Sequence, residues 1–351
     1  MSRLSAIGPA SVFFLSIVAC GCSESAPGDP REAHLGNIRQ LTFGGENAEA
    51  YFSPDGKSLI FQSRREELEC DQIFVMDLET KKVRMVSTGE GKTTCAFFFP
   101  DGRRILYSST HLASAACPPP PDYSRGYVWK LYENFEIFTA ALEGGAPRRI
   151  TDNPGYDAEA TVSPDGSRVI FTSLRDGDLD LYTMRPDGTD LRRITDQVGY
   201  DGGAFFSRDG RRIVWRASRP ETEEDREAYL ALLRENSIRP GRLEIFVADA
   251  DGSNARPVTA NGAANFAPYF FPDGRRIIFA SNVADPGGRN FDLWIVNDDG
   301  TGLEQITFHP TFDSFPMFSP DGRYLVFASN RNGKVEGETN VFLAEWVDGS
   351  Q

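Results

Sequence analysis

Acidic and amide side chains recur at one position before each of six similar turns, and they include the residues that could bind a ligand or move a proton. This acidic column consists of Asn47, Thr93, Asp157, Asp201, Asn265 and Asp313. Glu49 and Glu159 follow it in two of the six repeats. Converging carboxylates could hold a divalent cation or hydrogen-bond a polyol, and a pair could act as acid and base. The alternative is structural, because Asp and Asn also cap turns through their own side chains.

A basic column follows the same turns, nine residues after each turn glycine. Its members are Arg65, His111, Arg175, Arg219, Val283 and Arg331. Ion pairs with the acidic column, formed between neighbouring repeats, are the simplest expectation. His111 interrupts the arginines, and His309 lies just before Asp313. With Asp157 and Glu159, these two histidines form the one acid–base or metal cluster that the sequence suggests.

Six segments with one shared pattern must position both columns. They are AYFSPDGKSLIF (50–61), AFFFPDGRRILY (96–107), ATVSPDGSRVIF (160–171), AFFSRDGRRIVW (204–215), PYFFPDGRRIIF (268–279) and PMFSPDGRYLVF (316–327). Pro-Asp-Gly between apolar runs predicts a tight hairpin, because Pro suits the second turn position and Gly the left-handed one. A third apolar strand follows each hairpin, and a short fourth strand follows the first five of these. Four antiparallel strands per unit, repeated six times, predict an all-β six-bladed β-propeller.

The strand count also predicts how the ring closes. Five fourth strands follow third strands, and the chain ends soon after Trp346. The missing strand is expected near the N-terminus, at residues 39–42, where it would complete the last blade and remove open sheet edges. We therefore predict a propeller over residues 38–346, a flexible tether over 20–37 and a tail over 347–351.

The repeats resemble those of the TolB-like propellers, bacterial envelope proteins whose blades carry Ser-Pro-Asp-Gly turns. The resemblance extends over nearly all of residues 38–346 and implies the fold and an envelope location. TolB also has an α/β domain before its propeller, whereas residues 21–37 here are a short polar stretch. Prolyl oligopeptidases have similar blades, but their Gly-x-Ser-x-Gly motif is missing here. Oligogalacturonate lyases use a related propeller with a histidine-rich metal site, and this chain has three histidines.

Two repeats carry insertions between their second and third strands, which places both insertions on one face of the propeller. Extra loops on one face of a repeat fold are often the binding surface. Insertion 1 (110–134) contains four prolines and then the aromatic residues Tyr123, Tyr127, Trp129 and Tyr132, which could contact a partner or pack the loop. Insertion 2 (220–241) predicts a helix from Glu223 to Asn236 with Thr222 as N-cap, lying over the funnel mouth or on its own blade.

The N-terminus predicts export. Arg3 precedes an apolar run over residues 6–19 that is too short to span a bilayer, which needs about 20 apolar residues. We interpret residues 1–19 as a signal peptide. The sequence Ile17-Val18-Ala19-Cys20 resembles a bacterial lipobox and predicts lipidation of Cys20. The alternative is an ordinary signal peptide cleaved nearby.

Composition limits the classes of partner. The net charge of −14 argues against nonspecific nucleic-acid binding, because phosphates repel an acidic surface. Contact with the membrane is expected through the N-terminal lipid anchor alone. Of Cys70, Cys95 and Cys117, two could form a disulfide in an oxidising envelope, or all three could be buried thiols.

These features favour a monomeric binding or scaffold propeller on the periplasmic side of a bacterial cell envelope. Its ligand would be a protein or a cell-wall glycan, recognised through the insertion-bearing face. The alternatives are a carbohydrate-active hydrolase or lyase with an acidic funnel site, and a scaffold that dimerises through the helix of insertion 2. The sequence assigns no catalytic residue and no cofactor, and leaves a divalent cation in the funnel open.

Overall fold

A computed structural model describes residues 29–65, 67–124 and 126–348, which contain six four-stranded antiparallel sheets. The N-terminal strand is β1 (Leu35–Gln40). Blade 1 contains β2 (Glu46–Phe52), β3 (Ser58–Arg64), β4 (Gln72–Asp77) and β5 (Val83–Met85). Blade 2 contains β6 (Thr93–Phe98), β7 (Arg104–Ser109), β9 (Glu136–Ala141) and β10 (Arg148–Arg149), with β8 (Trp129–Lys130) in insertion 1. Blade 3 contains β11 (Asp157–Val162), β12 (Val169–Ser173), β13 (Asp180–Met184) and β14 (Arg192–Arg193).

The second half of the chain repeats this order. Blade 4 contains β15 (Asp201–Phe206), β16 (Arg212–Ala217), β18 (Glu244–Asp249) and β19 (Arg256–Pro257), with α1 (Glu223–Leu233) and β17 (Ser237–Ile238) in insertion 2. Blade 5 contains β20 (Asn265–Phe270), β21 (Arg276–Ser281), β22 (Asp292–Asn297) and β23 (Glu304–Gln305). Blade 6 contains β24 (Asp313–Phe318), β25 (Tyr324–Ser329) and β26 (Asn340–Trp346). The predicted six-bladed β-propeller with one helical insertion in blade 4 is confirmed.

The Pro-Asp-Gly turns explain why each hairpin forms where it does. All six turn glycines adopt φ between 64° and 73°, a left-handed conformation that glycine reaches without a Cβ clash. In each turn the aspartate accepts a hydrogen bond from the backbone N–H two residues later, as Asp55 does from Lys57 at 3.1 Å. These bonds hold the pKa of each turn aspartate below its usual value, as for Asp55, where the Ser53 hydroxyl contributes most.

The fourth strand of blade 6 comes from the N-terminal end of the chain. β1 pairs antiparallel with β26, with Leu35 opposite Trp346. Order begins before this strand, because the buried Glu32 binds Arg331 of blade 6 at 2.6 Å. The predicted boundary at residue 38 is therefore too late. The sequence around Glu32 is polar and therefore looks like a tether. Its ordering contact is with Arg331, 299 residues later in the chain, which the local sequence does not reveal. The predicted signal peptide, Cys20 and the first half of the predicted tether lie outside the described residues.

The core consists of apolar layers between adjacent blades. Most apolar side chains of the inner three strands are buried, and the largest fully buried ones include Trp215, Tyr107 and Phe279. Neighbouring blades interlock through aromatic edge-to-face contacts near the axis, as between Phe205 of blade 4 and Tyr269 of blade 5, with ring centroids 5.3 Å apart. This packing fixes the inner strands and so fixes the side chains that face the axis.

The two insertions join each other across blade 3. β8 of insertion 1 pairs antiparallel with β17 of insertion 2, with Trp129 opposite Ile238. Helix α1 has Thr222 as its N-cap, as predicted, and it ends at Leu233 rather than at Asn236. Its buried side chains Tyr229 and Leu233 pack in one apolar cluster with residues of blades 3 and 4. No helix within the described residues is long and apolar enough to cross a membrane.

A disulfide fastens insertion 1 to blade 1. It joins Cys70, just before β4, to Cys117, just before the four prolines. Cys95 of blade 2 is a free thiol. The sequence leaves this pairing open, and the fold decides it by bringing the loop after β3 beside insertion 1.

Candidate functional site

Each innermost strand carries a β-bulge at the same position, and the six bulged residues form a ring around the axis. These ring residues are Glu49, Cys95, Glu159, Gly203, Ala267 and Phe315, all with φ between 51° and 61°. The register of the inner hairpin shifts at this point in every blade, as between Ala48 and Tyr51. A bulge turns a side chain away from the ordinary alternation of a strand. The ring thus brings two carboxylates and a thiol into one narrow cavity.

A funnel cavity of about 450 Å³ leads from the insertion-bearing face to this ring. Tyr127 of insertion 1 and Glu46 lie at its rim, and both are about half exposed. Glu49, Glu159 and Arg216 line its deeper part. The cavity therefore connects solvent on the insertion-bearing face with charged groups at the axis.

Glu159 is held by four donors. Its carboxylate accepts hydrogen bonds from Thr172 Oγ1 at 2.8 Å, Tyr200 Oη at 2.9 Å and the Gly203 N–H at 2.9 Å. The fourth donor is Arg216 Nη2 at 2.5 Å, in an ion pair whose two side chains are 10% and 12% exposed. The guanidinium also lies over the rings of Trp129 and Tyr200, with its Cζ 5.0 and 5.5 Å from their centroids. Burial opposes the charge of Arg216, but Glu159 and the neighbouring acids outweigh it and raise the pKa of Arg216.

Two glycines make room for this ion pair. A Cβ on Gly203 would overlap the Arg216 guanidinium, and a Cβ on Gly202 would overlap Tyr200 Oη and Glu159 Oε2. In the other five blades, the positions equivalent to Gly202 and Gly203 carry residues with side chains. The residue opposite them on the second strand is smaller than arginine. The counterparts of Arg216 on the second strands are Gln62, Ser108, Thr172, Ala280 and Ala328.

Gly203→Ala is expected to destabilise the protein more than an alanine at a comparable glycine elsewhere. Gly102→Ala is the matched control, because Gly102 has nearly the same φ, 64° against 61°, and nothing lies within 4 Å of its added Cβ. Both variants incur the left-handed backbone cost of about 1–2 kcal/mol. Overlap with Arg216 should add about 1–3 kcal/mol for Gly203→Ala alone. Urea denaturation of the two variants measures the difference, and equal losses would contradict the packing described here.

Glu49 contrasts with Glu159. Burial raises the pKa of Glu49 to about 7, Arg216 opposes this effect, and the negative charge of Glu159 adds to it. Among the residues that the structure describes, the hydrogen-bond donor beside its carboxylate is the Cys95 thiol, a weak donor. Near neutral pH, Glu49 is therefore divided between its protonated and charged forms.

Glu49→Gln is expected to become stabilising as the pH rises. Because the pKa of Glu49 is higher in the folded protein than in the unfolded chain, the folded state binds the extra proton between about pH 4.5 and 7. Glu49 therefore lowers stability progressively as the pH rises through this range, by about 3 kcal/mol at most. Urea unfolding should find the wild type and Glu49→Gln similar at pH 5, and the variant about 1–3 kcal/mol more stable at pH 8. Other carboxyl groups titrate in both proteins and cancel in the difference, and a constant difference across this range would contradict the prediction.

The aspartates of the predicted acidic column lie inside the blades rather than along the funnel cavity, whereas Asn47 of this column is among the cavity lining. Asp157, Asp201 and Asp313 are fully buried. They bind the basic column at short range, in the pairs Asp157–Arg175 at 3.1 Å, Asp201–Arg219 at 2.6 Å and Asp313–Arg331 at 2.7 Å. The expectation of pairs between neighbouring repeats is wrong, since each pair forms within one blade. The antiparallel hairpin causes this, because it sets the start of the first strand beside the end of the second, as Asp157 beside Ser173.

The two histidines do not meet. His111 in blade 2 shares a 2.9 Å hydrogen bond with Ser109 Oγ and packs on Phe138. His309, at the start of blade 6, shares a 2.7 Å hydrogen bond with Thr311 Oγ1. Burial lowers the pKa of both imidazoles. Across residues 29–65, 67–124 and 126–348, no three His, Cys, Asp or Glu side chains are grouped as metal ligands would be.

The aromatic residues of insertion 1 divide into two pairs. Tyr123 and Tyr127 are both half exposed and stack on each other, with ring centroids 5.9 Å apart. Trp129 packs beneath them against Arg216, and Tyr132 Oη donates to the Pro119 carbonyl at 2.8 Å, which fastens the loop. The first pair is available to a partner, and the second pair builds the insertion.

Arg216, Tyr200, Tyr156 and Cys95 are cavity residues that the sequence reasoning missed. A signal for Arg216 was present in the repeats. It is the one arginine at a position where five repeats carry Gln, Ser, Thr or Ala, and it faces the one repeat with Gly202-Gly203. Aligning the repeats on these positions would have identified the pair.

Comparison with known proteins agrees with this geometry. TolB from Acinetobacter baumannii superposes with a TM-score of 0.55 at 19% identity, covering 75% of this chain and 55% of TolB, so the chain spans about half of that protein. A putative TolB from Agrobacterium tumefaciens gives a TM-score of 0.56 at 20% identity, covering 89% and 97% of the two chains. An oligogalacturonate lyase in complex with manganese gives 0.51 at 16% identity, covering 89% and 93%. At these identities the likeness shows the fold alone.

Sequence comparison is more specific about the family. An uncharacterized protein of Agrobacterium fabrum is 25% identical over 239 residues, which are 61% of this chain and 74% of that protein. Residues 127–227 and 236–342, more than half of the chain, match the TolB beta propeller domain. With six blades built on Asp-Gly turns, five of them Pro-Asp-Gly, the chain belongs to the TolB β-propeller family.

Proposed function

We propose that this chain is an envelope-associated binding propeller that recognises a protein or a cell-wall glycan through its insertion-bearing face. The observation that carries the proposal is the funnel cavity, which opens on that face and ends at Glu49, Glu159 and Arg216. Ligand pockets typically combine apolar walls with a few convergent polar groups, and this cavity has that composition. Both insertions contribute to its wall, through Trp129 and Ile238.

Exposed apolar side chains on the same face support a partner-binding role. Phe43 is 75% exposed in the loop before β2, and Val335 is 69% exposed in the loop between β25 and β26. Leu112, Tyr123 and Tyr127 of insertion 1 are also exposed. These loops lie at the strand ends that surround the mouth of the cavity. Apolar groups gathered around one opening are typical of an interaction surface.

An envelope location is part of the proposal. Its support is membership of the TolB β-propeller family and the N-terminal sequence, whose segment Ile17-Val18-Ala19-Cys20 resembles a lipobox. The chain would stand in the periplasm as a monomer, attached to a membrane by a lipid on Cys20. Incorporation of labelled palmitate into the wild type but not into Cys20→Ala tests the anchor.

The binding role is tested by retention of envelope components on the immobilised protein. Solubilised envelope proteins and purified cell-wall fragments are applied separately to the wild type, Tyr127→Ala and Met85→Ala. Met85 is the control, because it is an exposed apolar residue on the outermost strand of blade 1, away from the cavity. We expect one ligand pool to be retained by the wild type and Met85→Ala, and at least tenfold less by Tyr127→Ala. Retention no greater than on bare resin, or equal retention by all three proteins, would refute the proposal.

A carbohydrate-active enzyme is the second candidate, favoured by the two carboxylates of the ring. Glu159 is bound by four donors, whereas the pKa of Glu49 is raised to about 7, and such a difference separates a charged carboxylate from an acid. A screen of polysaccharides should then reveal cleavage by the wild type and none by Glu49→Gln. No turnover of any polysaccharide, with or without divalent metal ions, removes this candidate.

A further inference from the structure

The charged residues of the funnel cavity differ in whether they have an ion-pair or strong hydrogen-bond partner. Glu46 at the rim binds Arg64, and Asp71 binds Lys92. Lys130 donates to the Glu235 carbonyl at 2.7 Å, and Glu159 and Arg216 bind each other. Glu49 is the exception among the charged side chains described in this cavity, since the Cys95 thiol is its one donor. A buried carboxylate without a strong donor is costly, and a ligand that supplies one removes that cost.

The ionisable side chains at the ring include more acids than bases. Glu49 and Glu159 face the single guanidinium of Arg216, whose Nη2 is committed to Glu159. Arg216 Nε is buried and has no hydrogen-bond partner. With two acids and one guanidinium, the ring carries a net negative charge when both carboxylates are ionised. A positively charged donor suits this position.

The walls determine which cation fits. Tyr127 and Tyr156 line the cavity together with Phe266, Phe312 and Phe315. A narrow passage lined by aromatic side chains favours a ligand with an unbranched alkyl chain. The faces of these aromatic rings also attract a cationic group. An ammonium is a compact charge with three donors on a flexible alkyl stem, whereas a guanidinium is a planar fork suited to two-point contact. A carboxylate can bind either group, but the ring cavity beside Glu49 has a volume of about 30 Å³, which admits the compact ammonium better than the broad guanidinium.

We propose that the funnel cavity binds a primary alkylammonium group, with its nitrogen donating to the Glu49 carboxylate and its stem between the aromatic walls. The group would be carried by a lysine side chain of a partner protein or by a free amine of a cell-wall peptide. This inference rests on the proposed binding function and names the chemistry of its ligand.

The probe is Nα-acetyl-lysine methylamide, and its Nε-acetylated form is the neutral control. Isothermal titration calorimetry at pH 8 should detect the amine and not the control. The charged and titratable groups facing Glu49 are Arg216, Glu159, Cys95 and Asp71. Because the pKa of Glu49 is about 7, its charged form falls about tenfold from pH 8 to pH 6, and affinity should fall by a similar factor.

Two variants localise the binding. Glu49→Gln should weaken the amine at least tenfold and abolish the pH dependence. Glu143→Gln, in the exposed turn between β9 and β10 and outside the cavity lining, should leave both unchanged. Equal affinity for the amine and its acetylated form, or full affinity in Glu49→Gln, would overturn the proposal.

The two sources are distinguished by acetylating the amines of each ligand pool before the retention experiment. Loss of retention from the acetylated protein pool identifies a lysine, and loss from the acetylated cell-wall pool identifies a cell-wall peptide. Undiminished retention of both acetylated pools would overturn the inference while leaving the binding function in place. Absence of retention before acetylation, together with no binding of the lysine probe, would remove both.

Discussion

Arg216→Met is expected to lower the free energy of unfolding by about 3–5 kcal/mol, because it leaves a buried acid without its counter-ion. The side chains of Arg216 and Glu159 are each about nine-tenths buried, and no other cation of residues 29–65, 67–124 and 126–348 is paired with Glu159. Methionine keeps the apolar contact with Trp129 and Tyr200 but supplies no donor. Urea denaturation at pH 8, where carboxylates are charged, measures the loss.

Two comparisons isolate the charge effect. The double variant that combines Arg216→Met and Glu159→Gln removes both charges. It should recover part of the stability that the single variant Arg216→Met loses. Arg64→Met breaks the Arg64–Glu46 pair, whose side chains are 49% and 47% exposed, and should cost less than about 1 kcal/mol. A loss in Arg216→Met no larger than in Arg64→Met would show that the ion pair at the axis does not hold the ring together.

Arg216→Met should also change how Glu49 titrates. Burial raises the pKa of Glu49, and Arg216 is the group that opposes this effect most. Without the guanidinium, the pKa of Glu49 should rise further. Binding of the lysine probe would then require a higher pH than in the wild type.

The fold could be predicted because each repeat contains short sequence motifs that determine its own turns and strands. Pro-Asp-Gly specifies the hairpin turn. The turn needs a left-handed residue at positions such as Gly56, and a glycine there is visible in the sequence itself. Alternating apolar residues set the buried faces of the strands. Six copies of one signal make the inference robust, because an error in one blade is corrected by the other five.

The ring of functional side chains was not predictable in the same way. The acidic column is regular in sequence, yet its members close the blade hairpins by binding arginines, as Asp157 binds Arg175. The axis is instead lined by the residues two positions later, which a bulge turns inward. Those residues are Glu, Cys, Glu, Gly, Ala and Phe, and no shared residue type marks the bulge. Glu49 and Glu159 were found as candidates because they are acidic, whereas Cys95 was not.

The pairing of the two insertions was also hidden. β8 and β17 are two residues each, too short for a pattern of alternation, and they lie far apart in the chain. The same limit applies to Glu32, whose role depends on Arg331 across the closing blade. Contacts between distant segments are decided by the assembled fold, and one sequence carries little local trace of them.

Removing the Cys70–Cys117 disulfide is expected to cost about 2–4 kcal/mol of stability, with a chain-entropy value of about 4 kcal/mol for a loop of this length. The two cysteines are 47 positions apart, so the bond restricts a long loop in the unfolded chain. Cys70→Ser with Cys117→Ser should unfold at lower urea than the wild type. Adding a thiol reductant to the wild type should reproduce most of this loss.

The free thiol provides the matched control. Cys95→Ser retains the disulfide, so its stability should fall with reductant as much as that of the wild type. A wild type insensitive to reductant would contradict the bond's stabilising role. The disulfide also fixes the start of the segment that leads to Tyr127 and Trp129, which line the funnel cavity. The double serine variant should therefore bind the lysine probe more weakly under conditions in which it is fully folded, because the cavity wall must be ordered when the ligand binds.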